Sequence, residues 1–378
     1  MLINLFGIQF HLFELPLVVL LVFGFFSQMI KNGFTVNVYT KPPLFAYLVG
    51  IVLFCSSILL SSLMAANKSI VVKAFAKWSE IFFISLLIFY WVDSIRKLQF
   101  IYLLLFLSCF AFPLVTYFSI FTGKMNLMSY RIFSGYEPLF ALTLLVPLIK
   151  AKNIYSYFFA FLCFIAIVLS LSRGAWLASM PVIFIITNYL WKGKKSILLI
   201  LIIILIASLI IYEPFQKLLS WRILTALNPG SASNSERFGL IAIALSAFLS
   251  SPFIGIGALN FPTFLMQAGK WDIIRTKIAA TLTPHNFFVQ LLAELGLVGF
   301  GAFIIIIISL FSSLYKSRDF YKSSKRYTVY WNGLILFFVV YLIAISLGYV
   351  AGHFRFYMAL LFGSLLTFSK EFKDYYAG

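Results

Sequence analysis

Thr283-Pro284-His285-Asn286-Phe287-Phe288-Val289-Gln290-Leu291-Leu292-Ala293-Glu294-Leu295-Gly296-Leu297-Val298-Gly299 joins a polar loop to an apolar run that continues to about residue 313. A helix of about 20 apolar residues crosses a hydrocarbon core roughly 30 Å thick. This stretch therefore reads as a loop entering a membrane-spanning helix, with one histidine at the junction. The chain holds only 3 histidines and 11 carboxylates, so a titratable group in this position stands out.

Runs of the same kind recur from end to end. Of 378 residues, 62% are hydrophobic and 11% are charged, against about 25% charged in soluble domains. The fold class expected is an all-α polytopic membrane protein with about 11–12 transmembrane helices in one domain spanning 1–378. Short alternating segments, the mark of a β-barrel, are absent from the sequence. Eleven spans can be placed, near 8–30, 44–63, 74–92, 98–121, 137–149, 154–172, 174–191, 195–213, 286–313, 328–349 and 353–369. The first is read as a retained helix, since no basic n-region or small-residue cleavage site accompanies it.

A net charge of +18 raises the question of nucleic acid. The distribution answers it, because lysine and arginine cluster in short loops, as retention of positive charge on the cytoplasmic side predicts. Lys192, Lys194 and Lys195 form one such loop, and Lys316, Arg318, Lys322, Lys325 and Arg326 another. Cys55, Cys109 and Cys163 fall inside apolar runs and read as small packing residues, with neither disulfide nor metal spacing.

The segment 214–285 lies between those two cytoplasmic loops, so it is expected to face outward as one long loop. Within it, Asn228-Pro229-Gly230-Ser231 signals a turn. Ser233-Asn234-Ser235-Glu236 matches a capping box, with Ser233 as N-cap and Glu236 reaching back. A short interfacial or re-entrant helix over about 234–250 should follow, stopping at Ser251-Pro252. Gly255-Ile256-Gly257 then reads as a flexible turn.

Several residues here invite chemistry. Arg173 stands at the turn between two tight spans, where a charge is either a snorkelling end-residue or has a function. Arg237 opens a capped helix, and helix N-termini favour anions that a guanidinium can clamp; the alternative is a solvated loop charge. Arg222 and Arg275 are weaker candidates that could simply meet lipid headgroups. His285 has the residue type for a near-neutral general base, although a lone loop histidine is usually inert. Asn286, Glu294 and Arg355 are secondary candidates. Glu294, an intramembrane carboxylate, reads most simply as the buried partner of an arginine. Asp-x-Asp does not occur and only Asp93, Asp272, Asp319 and Asp374 are present. If a diphosphate is handled, arginine must neutralise it.

These residues resemble the bacterial O-antigen ligase and polymerase superfamily. The resemblance lies in Ser172-Arg173-Gly174-Ala175-Trp176, in Ser235-Glu236-Arg237 followed by Ser251-Pro252-Phe253-Ile254-Gly255-Ile256-Gly257, and in His285-Asn286, nine residues, Gly296, two residues, Gly299. It covers roughly 154–313, and the last pattern resembles the ligase side. It implies an inverting, metal-independent glycosyltransferase with a GT-C-type fold and no cofactor, in the bacterial inner membrane. Such enzymes move a glycan from undecaprenyl diphosphate to a lipid A–core acceptor at the periplasmic face. Carried over, Arg173 and Arg237 would bind the diphosphate and His285 would activate the acceptor hydroxyl. A polymerase joining lipid-linked repeat units is the nearest alternative reading. A transporter of polyprenyl-diphosphate glycans is another, although it should show pseudo-symmetric halves, and a lipid-binding scaffold is a third.

Overall fold

The computed structural model describes residues 2–5, 8–11, 42–122, 136–150, 154–170, 172–192, 220, 224, 228, 230, 232–267, 283–318, 325–347 and 352–369. Apart from one short N-terminal ladder, every described element is a helix. β1 (Leu2–Leu5) pairs antiparallel with β2 (Ile8–His11), Leu2 opposite His11. The span expected from residue 8 is thus not helical at its start, and residues 12–41 lie outside the described residues.

The helices are α1 (Pro42–Ser61), α2 (Lys68–Trp91), α3 (Ile95–Phe121), α4 (Glu137–Lys150), α5 (Ile154–Leu169) and α6 (Arg173–Lys192). They continue with α7 (Ala232–Ser250), α8 (Phe261–Gln267), α9 (Phe287–Lys316), α10 (Lys325–Leu347) and α11 (Gly352–Thr367). Among the described residues, three helical stretches are long and apolar enough to cross a membrane: Pro42–Ser61, Phe287–Lys316 and Tyr327–Leu347. The span expected at 195–213 lies outside the described residues.

The chain divides into two compact units. One comprises Met1–Ile101, Glu236–Ser323 and Tyr349–Gly378, the other Tyr102–Ser235 and Ser324–Gly348. In the first, α9 packs along α1 and α11 along α2. Close approach depends on small residues, as membrane packing favours. A Cβ on Gly50 would lie 2.7 Å from the Ile306 side chain, and one on Gly299 would lie 2.8 Å from Ser57 Oγ. Polar ties fix the register. Tyr47 Oη and Ser85 Oγ share a 2.7 Å hydrogen bond, and Ser313 Oγ donates to the Leu365 carbonyl at 3.0 Å. An aromatic cluster of Phe54, Trp78, Phe82, Phe287 and Phe303 fills the space beside the start of α9.

In the second unit, α4 packs on α5 and α10, with Phe140 against Phe337 and Tyr341. Tyr102 Oη donates to the Leu144 carbonyl.

α9 is broken at Gly296, whose φ of 63° and ψ of −163° interrupt the helical ladder. The 20 residues after the break span about 30 Å at 1.5 Å per residue, one hydrocarbon thickness. The break strands carbonyls and N–H groups that would be costly if left unpaired. The loop after α7 fills them reciprocally. Ile256 and Gly257 donate to the carbonyls of Ala293 and Glu294 at 3.0 and 3.1 Å, while Leu297 and Val298 donate to Pro252 and Phe253 at 2.8 and 3.2 Å. Gly255-Ile256-Gly257, expected to be flexible, is therefore a fixed brace. Gly255 has φ 71° and lies so close to the broken helix that a Cβ would sit 2.3 Å from the Glu294 carbonyl.

Candidate active site

α7 begins at Ala232, one residue before the expected cap. Ser233 thus sits inside the helix and the capping-box reading does not hold. The buried residues Leu240, Ile243, Ala244 and Ala247 form a stripe at helical spacing, packed against Ile256, Phe261, Leu265 and Ala293. Arg237 lies one turn before Leu240, at the N-terminal end of that stripe. Just beyond the C-terminal end of α7, Pro252 and Phe253 bond Leu297 and Val298. The half-buried Arg237 lies near enough to His285 to act on it electrostatically.

Three features fix His285. First, its φ of 53° is in the left-handed region, uncommon for a residue with a Cβ. Second, Asn286 is the N-cap of α9, its side chain accepting from the Val289 N–H at 3.1 Å. Third, Phe287 rests on Trp78 with ring centroids 6.0 Å apart. The imidazole is half-buried. Burial, with the Arg237 guanidinium nearby as the lesser cause, pushes its pKa down to about 4. Both effects disfavour the charged form, so at neutral pH the ring is uncharged.

Glu294 has a different role from the one expected. It is buried, and its carboxylate accepts the Leu259 N–H at 2.8 Å and the Gln290 amide at 3.2 Å. Its partners are thus a loop N–H and an amide in place of the expected arginine. Leu259 is itself left-handed, with φ 57°. Asn260 extends the brace by accepting from the Asn67 N–H at 2.9 Å, and Ser61 Oγ accepts from the Ala258 N–H at 3.1 Å. The loop therefore lies on the same face as the α1–α2 connection.

Arg173 belongs to the other unit. Ser172 Oγ accepts from the Ala175 N–H at 3.4 Å, and the Trp176 indole ties α6 to the Ile167 carbonyl at 2.9 Å. Gly174 fits against Tyr136, where a Cβ would meet the phenol. Arg173, the first residue of α6, donates from Nη1 to Asn234 Oδ1 at 2.9 Å. Asn234 Nδ2 in turn donates to the Asn228 carbonyl at 2.8 Å, and Asn228 Oδ1 accepts from the Gly230 N–H at 2.9 Å, which is the anticipated turn. Arg355 lies in the first turn of α11, while Arg222 and Arg275 are outside the described residues.

Two residues with polar roles escape a reading of the sequence. Asn234, the partner of Arg173, was absorbed into the supposed capping box. Thr283 is buried at 7% exposure, and its hydroxyl has no hydrogen-bond partner among the described residues. A buried hydroxyl left so costs about 1–3 kcal/mol. The available signal was a hydroxyl directly before the Pro-His pair.

The described residues are those of a helical protein with apolar helices of membrane-crossing length, in which a braced, broken helix carries a neutral histidine at its entrance. Residues 158–304, a segment that holds all three motifs, match the family model described as O-antigen ligase. No curated protein matches the chain.

Proposed function

We propose that the protein is an inverting, metal-independent glycosyltransferase. In this reading it moves a glycan from undecaprenyl diphosphate to a lipid A–core acceptor at the periplasmic face of the inner membrane. The observation that carries the reading is the uncharged imidazole of His285 beside the guanidinium of Arg237, within the segment that matches the family. Arg237 binds the donor diphosphate, a role that the resemblance alone extends to Arg173, and His285 faces the acceptor.

The acceptor hydroxyl oxygen attacks the anomeric carbon as the bond from that carbon to the diphosphate oxygen breaks. The electron pair leaves with the diphosphate, whose growing charge the guanidinium groups stabilise. The hydroxyl proton passes to the imidazole. Bound diphosphate also offsets the positive field of Arg237, the lesser of the two causes that depress the proton affinity of His285.

The test is reconstitution with an undecaprenyl-diphosphate glycan and two acceptors, lipid A–core and a lipid-linked repeat unit. Transfer to the core is expected, with His285→Ala lowering the rate by roughly 10²–10⁴-fold. Near-normal transfer by that variant would remove the histidine from the mechanism. Transfer to the repeat unit alone would make the protein a polymerase.

A further inference from the structure

Both side-chain oxygens of Glu294 are engaged. Oε2 accepts the Leu259 N–H at 2.8 Å and Oε1 accepts the Gln290 amide at 3.2 Å. The N–H of Phe261, the first residue of α8, bonds the same side chain. The backbone of Ala293 and Glu294 holds the loop at Ile256 and Gly257. The Glu294 side chain carries that hold onward to the start of α8. Leu259 is left-handed, with φ 57°, a conformation that persists where the surroundings impose it.

α8 has 7 residues, too few to hold a helix by its own hydrogen bonds. Its Phe261 and Leu265 are buried in one cluster with Leu240 and Ala244 of α7 and Ala293 of α9. Arg237 precedes Leu240 by three residues, which puts it on the same side of α7. His285 stands two residues before the start of α9. A hold on α8 is therefore a hold on the helix that carries Arg237 and on the helix that His285 leads into. Resting on the transferase reading, in which these two residues form the site, we propose that Glu294 is a positioning residue that keeps Arg237 in place relative to His285. It acts through Leu259, Phe261 and the buried cluster.

The readout is the proton affinity of His285, which senses both the burial of the ring and the nearness of Arg237 and requires no glycan transfer. The full-length protein, isotope-labelled at its 3 histidines, is titrated by NMR in detergent micelles, with the His285 signal assigned by its loss in His285→Asn. The wild-type ring should titrate at about 4. Glu294→Ala should bind the proton at His285 roughly tenfold more tightly, moving it towards the ordinary histidine range. Glu294→Gln keeps an oxygen for the Leu259 N–H and should stay near wild type. Ser313→Ala removes the bond from the far part of α9 to the Leu365 carbonyl and should leave the titration unchanged while lowering the melting point. Glu294→Asp, one methylene short of Leu259, replaces Glu294→Ala if that variant does not fold, with the same shift expected.

An unmoved His285 titration in Glu294→Ala or its replacement overturns the proposal. So does an equal shift in Ser313→Ala, which would make the effect a general loosening, or a shift in Glu294→Gln as large as in Glu294→Ala, which would remove the hydrogen bond as its cause. A wild-type protein that transfers no glycan, with the titrations as expected, sinks the transferase reading and leaves the positioning role standing.

Discussion

Gly296→Ala should be among the most damaging single-methyl changes in this chain. Its φ and ψ of 63° and −163° fall in a region open in practice only to glycine, where a side chain costs about 1–3 kcal/mol of strain. A Cβ there would also stand 2.4 Å from the carbonyl carbon and oxygen of Phe253. These are backbone atoms that cannot rotate away, so helix and loop must separate at an overpacking cost of about 1–3 kcal/mol. Together the loss is about 2–6 kcal/mol, a large share of a typical total of 5–15 kcal/mol. Gly301, five residues on in the same helix, supplies the control. A Cβ there meets nothing within 4 Å, so Gly301→Ala should be neutral or stabilise by about 0.4–1 kcal/mol through the unfolded chain. Thermal melting of both variants in the same nanodiscs decides the matter. If Gly296→Ala melts together with Gly301→Ala, the broken helix is not held as described.

Asn286→Ala should lose about 0.5–2 kcal/mol, the worth of an N-cap, with Asn286→Ser retaining most of it. Denaturant titration measures this, and loss of transfer in the serine variant at full stability would show that Asn286 meets substrate directly. His285 makes stability depend on pH. Its folded pKa of about 4 lies below the ordinary 6.5, so below pH 6.5 the unfolded chain takes up the proton first. This contribution is fully present above pH 6.5 and falls away as pH drops towards 4. His285→Asn, chosen because asparagine tolerates left-handed φ, should lack it, so parallel melting curves of the two proteins across pH 4–6.5 would contradict the buried, neutral imidazole.

The helices were legible because apolar runs announce them, and α1, α5, α6, α9 and α10 fall within a few residues of their expected places, although only α1, α9 and α10 hold stretches long and apolar enough to cross a membrane among the described residues. The break in α9 was not. Gly296, Gly299 and Gly301 look alike in sequence, and the choice between them is made by a loop some 40 residues earlier that arrives with donors and acceptors matching one position. Glu294 was misread for a related reason. Opposite charge is the obvious partner for a buried carboxylate, yet the left-handed turn at Leu259 offers a backbone N–H instead. Arg237 and His285 were recognisable as residue types, and the structure brings them together within one unit. Thr283 opens the stretch that decides the fold, but the burial of its hydroxyl without a partner among the described residues is not visible in a sequence.

The brace gives a reason for placing a histidine in a strained conformation. A left-handed non-glycine residue carries about 1–3 kcal/mol and persists only where its surroundings over-determine it. His285 has such surroundings on every side. Pro284 restricts the chain before it and Asn286 caps the helix after it. Trp78 holds the first turn of that helix through Phe287, and Glu294 ties the second turn to Leu259. The break at Gly296 divides α9 between this loop-bound start and a longer apolar part, and the helix packs on α1 and α11. The reciprocal hydrogen bonds across the break tie both halves of α9 to one loop, so the helix is interrupted without leaving its backbone unpaired.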